Sequence, residues 1–313
     1  MTKSWNDKIT EDRLLKQNPY AHLNEWGGFS ALPNSNMKST EASNAEITQS
    51  RLLLNHPYAH LDEDAPGGFS ALSSLAQPNY FSLQKKNRYS GIEIERTARN
   101  IQNVIWKHRK SFWPNGVPAN PIDMLDPILA LNSIGYHADF ADTLGEFHSD
   151  GKLVEVAGTI DNHLKKVRIS RRFADNISRF TAAHELGHAL LHNAVGLHRD
   201  KPLDGAKITR EPTEFEADKF ATYFLMPRNL VHSTFKRFFL TDKFLLNEET
   251  AFALDLSDYE TIKNKYKNLR QLSRMLASTE YYNGLRFISL ASQFKVSTEA
   301  MAIRLEELEL VSI

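Results

Sequence analysis

The 313-residue sequence contains no cysteine, which excludes disulfides, thiolate nucleophiles and every cysteine-based zinc site. A metal ion could therefore be bound only by histidine, aspartate and glutamate, and the chain has 12 histidines. An excess of charge is also missing, because 38 lysines and arginines balance 38 aspartates and glutamates. The long-range field that concentrates nucleic acid or an anionic membrane is thus absent, so neither polyanion is the expected partner.

Long apolar runs are missing as well. No stretch approaches the roughly 18 apolar residues of a membrane-spanning helix, and the first residues lack the basic start and apolar core of a secretory signal. We therefore expect a cytoplasmic protein without a membrane partner. At roughly 150 residues per domain, the length predicts about two folded units.

Residues 1–88 are predicted to form a disordered arm, because their apolar residues occur in isolated pairs without helix or strand periodicity. Two copies of one motif lie within this arm, at residues 13–32 and 51–72, and both contain Pro-Tyr-Ala-His-Leu and Gly-Gly-Phe-Ser-Ala-Leu. Two copies are too few for a stacked repeat fold, so we interpret them as linear motifs. Three explanations are open: docking of a partner, occupation of the chain's own cleft as a pseudosubstrate, and a relic duplication without function.

An ordered domain is predicted over residues 89–232, followed by a helical region over residues 233–313. Apolar residues at helical spacing predict a helix from residue 92 to about residue 108, and a short helix is expected at residues 127–134. Residues 153–157 and 166–170, on either side of residues 159–163, are expected to form a hairpin or two neighbouring strands. The predicted fold class is α+β, mostly helical with a small sheet.

The candidate chemistry lies in His-Glu-Leu-Gly-His, which begins at His184. His184 and His188 are four residues apart, so on a helix both rings can face one tetrahedral zinc ion. Glu185 is about 100° further round the helix, where it can reach a water molecule at the site rather than the metal. Ser178 or Asn176 is expected to cap this helix, and its apolar residues are expected to bury it in the core.

A catalytic zinc site needs a third protein ligand, and two arrangements can be excluded by position. His192 lies about 12 Å along the helix axis from His184, too far for both to share one ion with His188. The metzincin pattern requires glycine at position 191 and histidine at position 194, where this chain has Leu191 and Ala194.

A second helix is expected to begin at Pro212 and to end before Pro227, because the residue before a proline resists the helical conformation. Glu214 lies beside the apolar stripe of this helix, whereas Glu216 is rotated by about 200° from it and is expected to face water. We therefore predict Glu214 as the third zinc ligand. Asp218, one turn later, is expected to accept a hydrogen bond from a ligand histidine and so fix its tautomer. Solvent-facing carboxylates at the start of a helix are the alternative for both residues.

These residues resemble the ImmA/IrrE-type zinc metallopeptidases. In that family the first helix reads Arg-Phe-Thr-x-Ala-His-Glu-Leu-Gly-His-x-Leu-Leu-His, and the second reads Glu-x-x-Ala-Asp-x-Phe-Ala-x-x-Leu-Leu-Met-Pro. The two stretches here are residues 179–192 and 214–227, with Phe224 where the family prefers leucine. The resemblance runs from about residue 92 to the C-terminus. It implies a zincin-like fold, and a substrate that is a helix-turn-helix repressor or a related transcriptional regulator.

The combined residues predict a zinc-dependent endopeptidase of narrow specificity, in which Glu185 acts first as general base and then as general acid. The group that stabilises the oxyanion is left open among His198, Tyr223, Arg228 and His232. A competing hypothesis is a regulatory binding protein that keeps this fold and docks a repressor or toxin without cleaving it.

At the C-terminus, residues 285–294 and 298–308 predict two helices separated by a turn that Ser297 caps, an HTH-like module. A DNA-reading second helix would carry lysine or arginine, whereas this one carries Arg304 among three glutamates. Direct nucleic-acid binding is therefore not expected, and packing or protein docking is favoured. The basic run between residues 263 and 274 is interpreted as a solvated helix face.

Overall fold

The computed structural model describes residues 85–86, 88–149, 152–192, 197–199, 212–255 and 258–313. The predicted arm therefore lies outside the described residues except for residues 85, 86 and 88, and both motif copies lie wholly outside them. The described part of the chain is mostly helical with small sheets, as the α+β prediction required. In this part, none of the helices combines the length and the hydropathy that a bilayer crossing demands.

Local signals explain where the helices begin. Ser90 and Glu93 form a capping box at the start of the first helix, and the Asp126 side chain accepts two backbone N–H groups at the start of the third. Helices were predicted at both places. The helices of the described residues are α1 (Gly91–Lys107), α2 (Arg109–Phe112), α3 (Pro127–Ser133), α4 (Asp175–Leu191), α5 (Pro212–Leu225), α6 (Arg228–Phe239), α7 (Glu248–Asp255), α8 (Tyr259–Lys265), α9 (Leu269–Ser278), α10 (Leu290–Phe294) and α11 (Thr298–Glu307).

A four-stranded sheet and three two-stranded sheets accompany the helices. The strands are β1 (His137–Ala141), β2 (Glu146–Ser149), β3 (Lys152–Glu155), β4 (Gly158–Asp161), β5 (Lys166–Ser170), β6 (Leu197–Arg199), β7 (Phe244–Leu245), β8 (Tyr281–Tyr282), β9 (Leu285–Arg286) and β10 (Val311–Ser312). The large sheet has the order β1-β5-β4-β6, with β1 parallel to β5 and with β4 antiparallel to both of its neighbours. The small sheets pair β2 with β3, β7 with β10 and β8 with β9.

The predicted neighbour of β5 was wrong. Residues 153–157 were expected to pair with it, but β4 occupies that place and β3 pairs with β2 in a separate hairpin. The hairpin turn comes later than predicted because the Asp161 carboxylate accepts the backbone N–H groups of His163 and Leu164. Lys165 then adopts a left-handed conformation, with a φ of 48°, before β5 begins. This shift places Gly158, at the start of β4, directly over α4.

Helix α4 is almost completely buried, and α5 packs along it more closely than any other helix does. A Cβ on Gly187 would lie 3.1 Å from the Cα of Ala217 and 3.2 Å from its carbonyl oxygen, so the two backbones meet at these small residues. The predicted cap was wrong: the helix starts after Ala174 without a side-chain cap. Ser178 lies inside the helix, where its hydroxyl donates to the Ser170 carbonyl.

The C-terminal helices α9, α10 and α11 pack on one another and continue the same apolar core that starts at Tyr89. Between α10 and α11, Lys295 is left-handed and the Ser297 side chain caps α11, as the sequence predicted for Ser297. Helix α10 is shorter than predicted, because β9 occupies the first residues of the expected helix. Residue 232, the expected domain boundary, lies inside α6, and the division into units stays a prediction.

Much of α11 is buried, including the side chain of Arg304. Arg270 and Arg274 of α9 pair with acidic residues of this helix, Arg270 with both Glu299 and Glu306. Two members of the basic run therefore pair with acidic residues of α11 and are not fully solvated.

Arg304 ties α11 to the end of α5. Its Nε donates to the Met226 carbonyl at 3.0 Å, and its Nη1 donates to Glu307 at 3.2 Å. The guanidinium carbon lies 4.8 Å from the ring centroid of Tyr223, within cation–π range. Burial, together with nearby Glu307, raises the pKa of Tyr223 to about 12. The buried guanidinium group of Arg304 thus links α11 to the end of α5.

We expect Arg304→Leu to lower the free energy of unfolding by about 3 kcal/mol, because Glu307 and the Met226 carbonyl lose a buried charged partner. Arg286→Leu, on exposed β9, is the matched control and should change it by less than about 0.5 kcal/mol. Urea unfolding of both variants measures the difference. Equal effects of the two substitutions would contradict the role given to Arg304.

Candidate metal centre

The motif helix α4 presents His184 and His188 on one face, one turn apart. Both side chains are buried, and their rings stand edge to face with centroids 4.6 Å apart. Glu214 reaches them from the first turn of α5 and is the partly exposed member of the group. The fold thus brings together the three residues that the sequence predicted as ligands.

One ligand atom from each of these residues lies within 4.8 Å of the other two. Glu214 uses different oxygens, with Oε2 3.4 Å from His184 Nε2 and Oε1 3.4 Å from His188 Nε2. The two Nε2 atoms are 2.9 Å apart. An ion held tetrahedrally at about 2.0–2.1 Å needs ligand atoms about 3.3 Å apart. Each Glu214 oxygen lies near this distance from one of the histidines, and the histidines need to separate by a few tenths of an ångström.

Each histidine has its other ring nitrogen occupied. His184 Nδ1 lies 2.8 Å from Asp218 Oδ1, where it can donate to the carboxylate. His188 Nδ1 lies 3.0 Å from His192 Nδ1. Both rings therefore direct Nε2 toward Glu214, which is the orientation that metal binding requires.

Glu216 does not face water, and that prediction was wrong. Its side chain is buried: Oε2 lies 3.0 Å from His192 Nε2, and Oε1 accepts the backbone N–H of Tyr89 at 2.8 Å. The expectation assumed that α5 has one solvent face, whereas α4 covers one side and α1 with the chain leading into it covers another. The carboxylate rotated away from Glu214 therefore meets protein rather than solvent.

The neutral form of His192 is favoured in this environment. Burial is the largest influence and lowers its pKa to about 4, although the hydrogen bond with Glu216 acts in the opposite direction. A neutral imidazole has one donor and one acceptor nitrogen, so it can receive a proton from one neighbour and give one to another. A neutral His192 can therefore accept a hydrogen bond from His188 and donate one to Glu216.

Glu185 is completely buried and lies beneath β4. A Cβ on Gly158 would lie 2.7 Å from Glu185 Oε1 and 2.5 Å from Thr181 Cγ2, distances that real side chains do not tolerate. Only glycine lets the strand backbone come this close to the carboxylate.

Three of the four residues considered for oxyanion stabilisation have contacts with other side chains. Tyr223 lies nine positions after Glu214, half a turn away on the far side of α5, and packs against Arg304. Arg228 lies 3.7 Å from Glu95, and His232 lies 3.8 Å from Asp242. The side chain of His198 is outside the described part.

Comparison with known proteins agrees with this geometry. The sequence profile of the IrrE N-terminal-like domain matches residues 147–306, 160 of the 313 residues. The chain belongs to the IrrE N-terminal-like domain family. This is a metallopeptidase-type family, and the match covers α4, α5 and nearly all of the C-terminal helices. No curated protein and no solved structure matches the chain significantly.

Sequence reasoning missed three features of the centre: Gly158, the link from His188 to His192, and the link from His192 to Glu216. His192 lies four residues after His188, so the spacing that paired the two candidate ligands also predicts this contact. The role of Gly158 depends on how the strands pair, and no sequence pattern near this residue indicates it.

We expect Gly158→Ala to lower the free energy of unfolding by about 1–3 kcal/mol, because the new Cβ overlaps with Thr181 Cγ2 and Glu185. Adding Thr181→Ser removes the methyl contact and should recover stability. Peptide hydrolysis should stay low in the double variant, because Glu185 is still displaced. Full recovery of both properties, with Thr181→Ser alone as the control, would show that Gly158 does not position Glu185.

Proposed function

We propose that this protein is a zinc-dependent endopeptidase that cleaves a specific regulatory protein. The observation that carries the proposal is the convergence of His184, His188 and Glu214, two nitrogens and a carboxylate, with the buried acid Glu185 following His184 on the same helix. Three protein ligands with one position left open are typical of catalytic zinc sites, whereas structural sites usually supply four. Membership of a metallopeptidase-type family supports the same chemistry.

Zinc, when bound by the two histidines and Glu214, would polarise the substrate carbonyl and favour ionisation of water. Glu185 accepts the proton that the attacking water loses as its oxygen bonds to the carbonyl carbon. The same carboxyl group then gives this proton to the leaving nitrogen as the C–N bond breaks, so the reaction ends with Glu185 ionised again. Asp218 and His192 hold the two histidines in the orientation that this chemistry needs.

For the substrate we propose a transcriptional regulator, a helix-turn-helix repressor or a related protein. The proposal rests on the resemblance to ImmA/IrrE-type peptidases and on the neutral charge balance, which favours a protein over nucleic acid. The HTH-like turn between α10 and α11 suits packing or protein docking, because Arg304 and much of α11 are buried.

The first test separates metal binding from catalysis. Glu214→Ala should lose zinc together with peptidase activity, because two histidines alone hold the ion poorly. Glu185→Gln should keep one zinc per chain and lose activity by about 100-fold or more, because the general base is gone. Metal analysis and cleavage of a co-purified regulator provide the measurements.

Asp242→Ala, on the exposed turn after α6, is the carboxylate control and should leave both properties intact. Zinc retained in Glu214→Ala would refute the ligand assignment. Unchanged function in Glu185→Gln would favour a binding protein that acts without cleavage.

For the duplicated arm we propose docking of the protein partner. The copies at residues 13–32 and 51–72 combine aromatic and apolar anchors with a glycine pair, and two copies on one tether permit bivalent capture. The structure decides where a deletion must stop. Lys85 Nζ donates to the carbonyls of Ala189 and His192, and Tyr89 N–H donates to Glu216, so these residues belong to the metal centre's support.

We therefore expect deletion of residues 1–80 to leave cleavage of a short peptide unchanged and to weaken capture of the protein partner. Faster peptide cleavage would indicate that the arm inhibits its own cleft, and no change in either assay would indicate a relic. Deletion of residues 1–88 is the contrasting variant: it also removes Lys85, so it should disturb the peptidase itself.

A further inference from the structure

A chain of hydrogen bonds runs from His188 to the backbone that leads into α1. His188 Nδ1 contacts His192 Nδ1, His192 Nε2 contacts Glu216 Oε2, and Glu216 Oε1 accepts the N–H of Tyr89, with distances of 3.0, 3.0 and 2.8 Å. All three side chains in this chain are buried. None of these contacts was predicted from the sequence.

The backbone N–H of Tyr89, at the end of this series of hydrogen bonds, determines which atom donates and which accepts in each of them. The Tyr89 N–H can only donate, so Glu216 receives it at Oε1 and, as a carboxylate, can accept again at Oε2. His192 must then carry its proton on Nε2, which leaves its Nδ1 as an acceptor. His188 must donate to that atom from Nδ1, so its Nε2 is left without a proton and faces Glu214. Every donor in the chain meets an acceptor.

The support of His188 resembles the support of His184, the other candidate ligand on α4. Asp218 contacts His184 Nδ1 directly at 2.8 Å, while Glu216 reaches His188 through one intervening imidazole. Both carboxylates belong to α5, the helix that also carries Glu214. One helix therefore supplies the third ligand and a carboxylate behind each of the other two.

We propose that Glu216 and His192 are positioning residues that hold His188 in the Nδ1–H tautomer and so keep its Nε2 available for the metal. This inference rests on the proposed zinc function and deepens it, because it names how the second histidine is oriented. The backbone N–H of Tyr89 sets the donor-to-acceptor direction of all the hydrogen bonds between it and His188, since Glu216 then accepts at both oxygens.

Glu216→Gln tests the polarity with almost no change of shape. Glutamine has one acceptor oxygen and one donor NH₂ group, so it cannot accept from both Tyr89 and His192. One bond must fail or the histidine tautomers must reverse, and reversal puts a proton on His188 Nε2. We expect the dissociation constant of zinc, measured by competition with a chromophoric chelator, to rise by about 10–100-fold. Nitrogen-15 NMR of the metal-free protein should show the altered histidine tautomers.

Glu299→Gln is the matched control, because it neutralises a buried glutamate that pairs with Arg270 and Arg274 away from the centre. It should lower the melting temperature of the metal-free protein without changing the zinc dissociation constant. Glu216→Gln should weaken zinc binding by the factor given above, whatever its effect on the melting temperature. Zinc affinity within twofold of wild type in Glu216→Gln, or an equal loss in Glu299→Gln, would overturn the proposal.

His192→Phe provides a second variant that removes the middle of the chain. Because the two residues act in series, the double variant with Glu216→Gln should bind zinc no more weakly than His192→Phe alone. Multiplied losses in the double variant would contradict a common pathway. The outcomes also separate the two proposals: normal zinc affinity in Glu216→Gln defeats only this inference, whereas full activity in Glu185→Gln defeats the peptidase and leaves the affinity measurement valid.

Discussion

The close packing of α4 on α5 is the constraint on which the centre depends. Gly187 stands between the two histidines of the motif, and the backbone of Ala217 occupies the space that a side chain there would need. With the helix axes so near each other, the short side chains of Asp218 and Glu214 can reach the imidazoles of α4. A larger residue at either contact would separate ligands that must lie within a few ångströms.

Because α4, α1 and the C-terminal helix all contact α5, polar side chains on several faces of α5 are in contact with other parts of the protein. Glu216 meets His192 and Tyr89, Lys219 pairs with Glu307, and Gln102 of α1 donates to two carbonyls in the last turn of α5. Polar groups buried in this way need partners, because leaving one unpaired costs about 1–3 kcal/mol. The satisfied contacts therefore tie the metal centre to α1 and to the C-terminal helix.

The arrangement also gives each candidate histidine ligand its own support. His184 is backed by a carboxylate directly and His188 through His192, whose pKa is lowered by burial. Strand β4 passes over Glu185 at Gly158. The Glu185 side chain is completely buried at this contact.

Helical spacing was enough to predict α1, α4 and α5 and to choose the residues that converge, because positions three and four apart share a helix face in any context. The absence of cysteine limited the possible metal ligands to histidine and carboxylates. Spacing could not show that Glu216 is buried, because the exposure of a helix face depends on which other elements pack against it. Strand pairing failed for a related reason: β3 and β4 both carry suitable residues, and register is decided by contacts distant in sequence. The sequence by itself thus determined which side chains can act together on one helix, and only the tertiary structure decided which of their neighbours hold them in place.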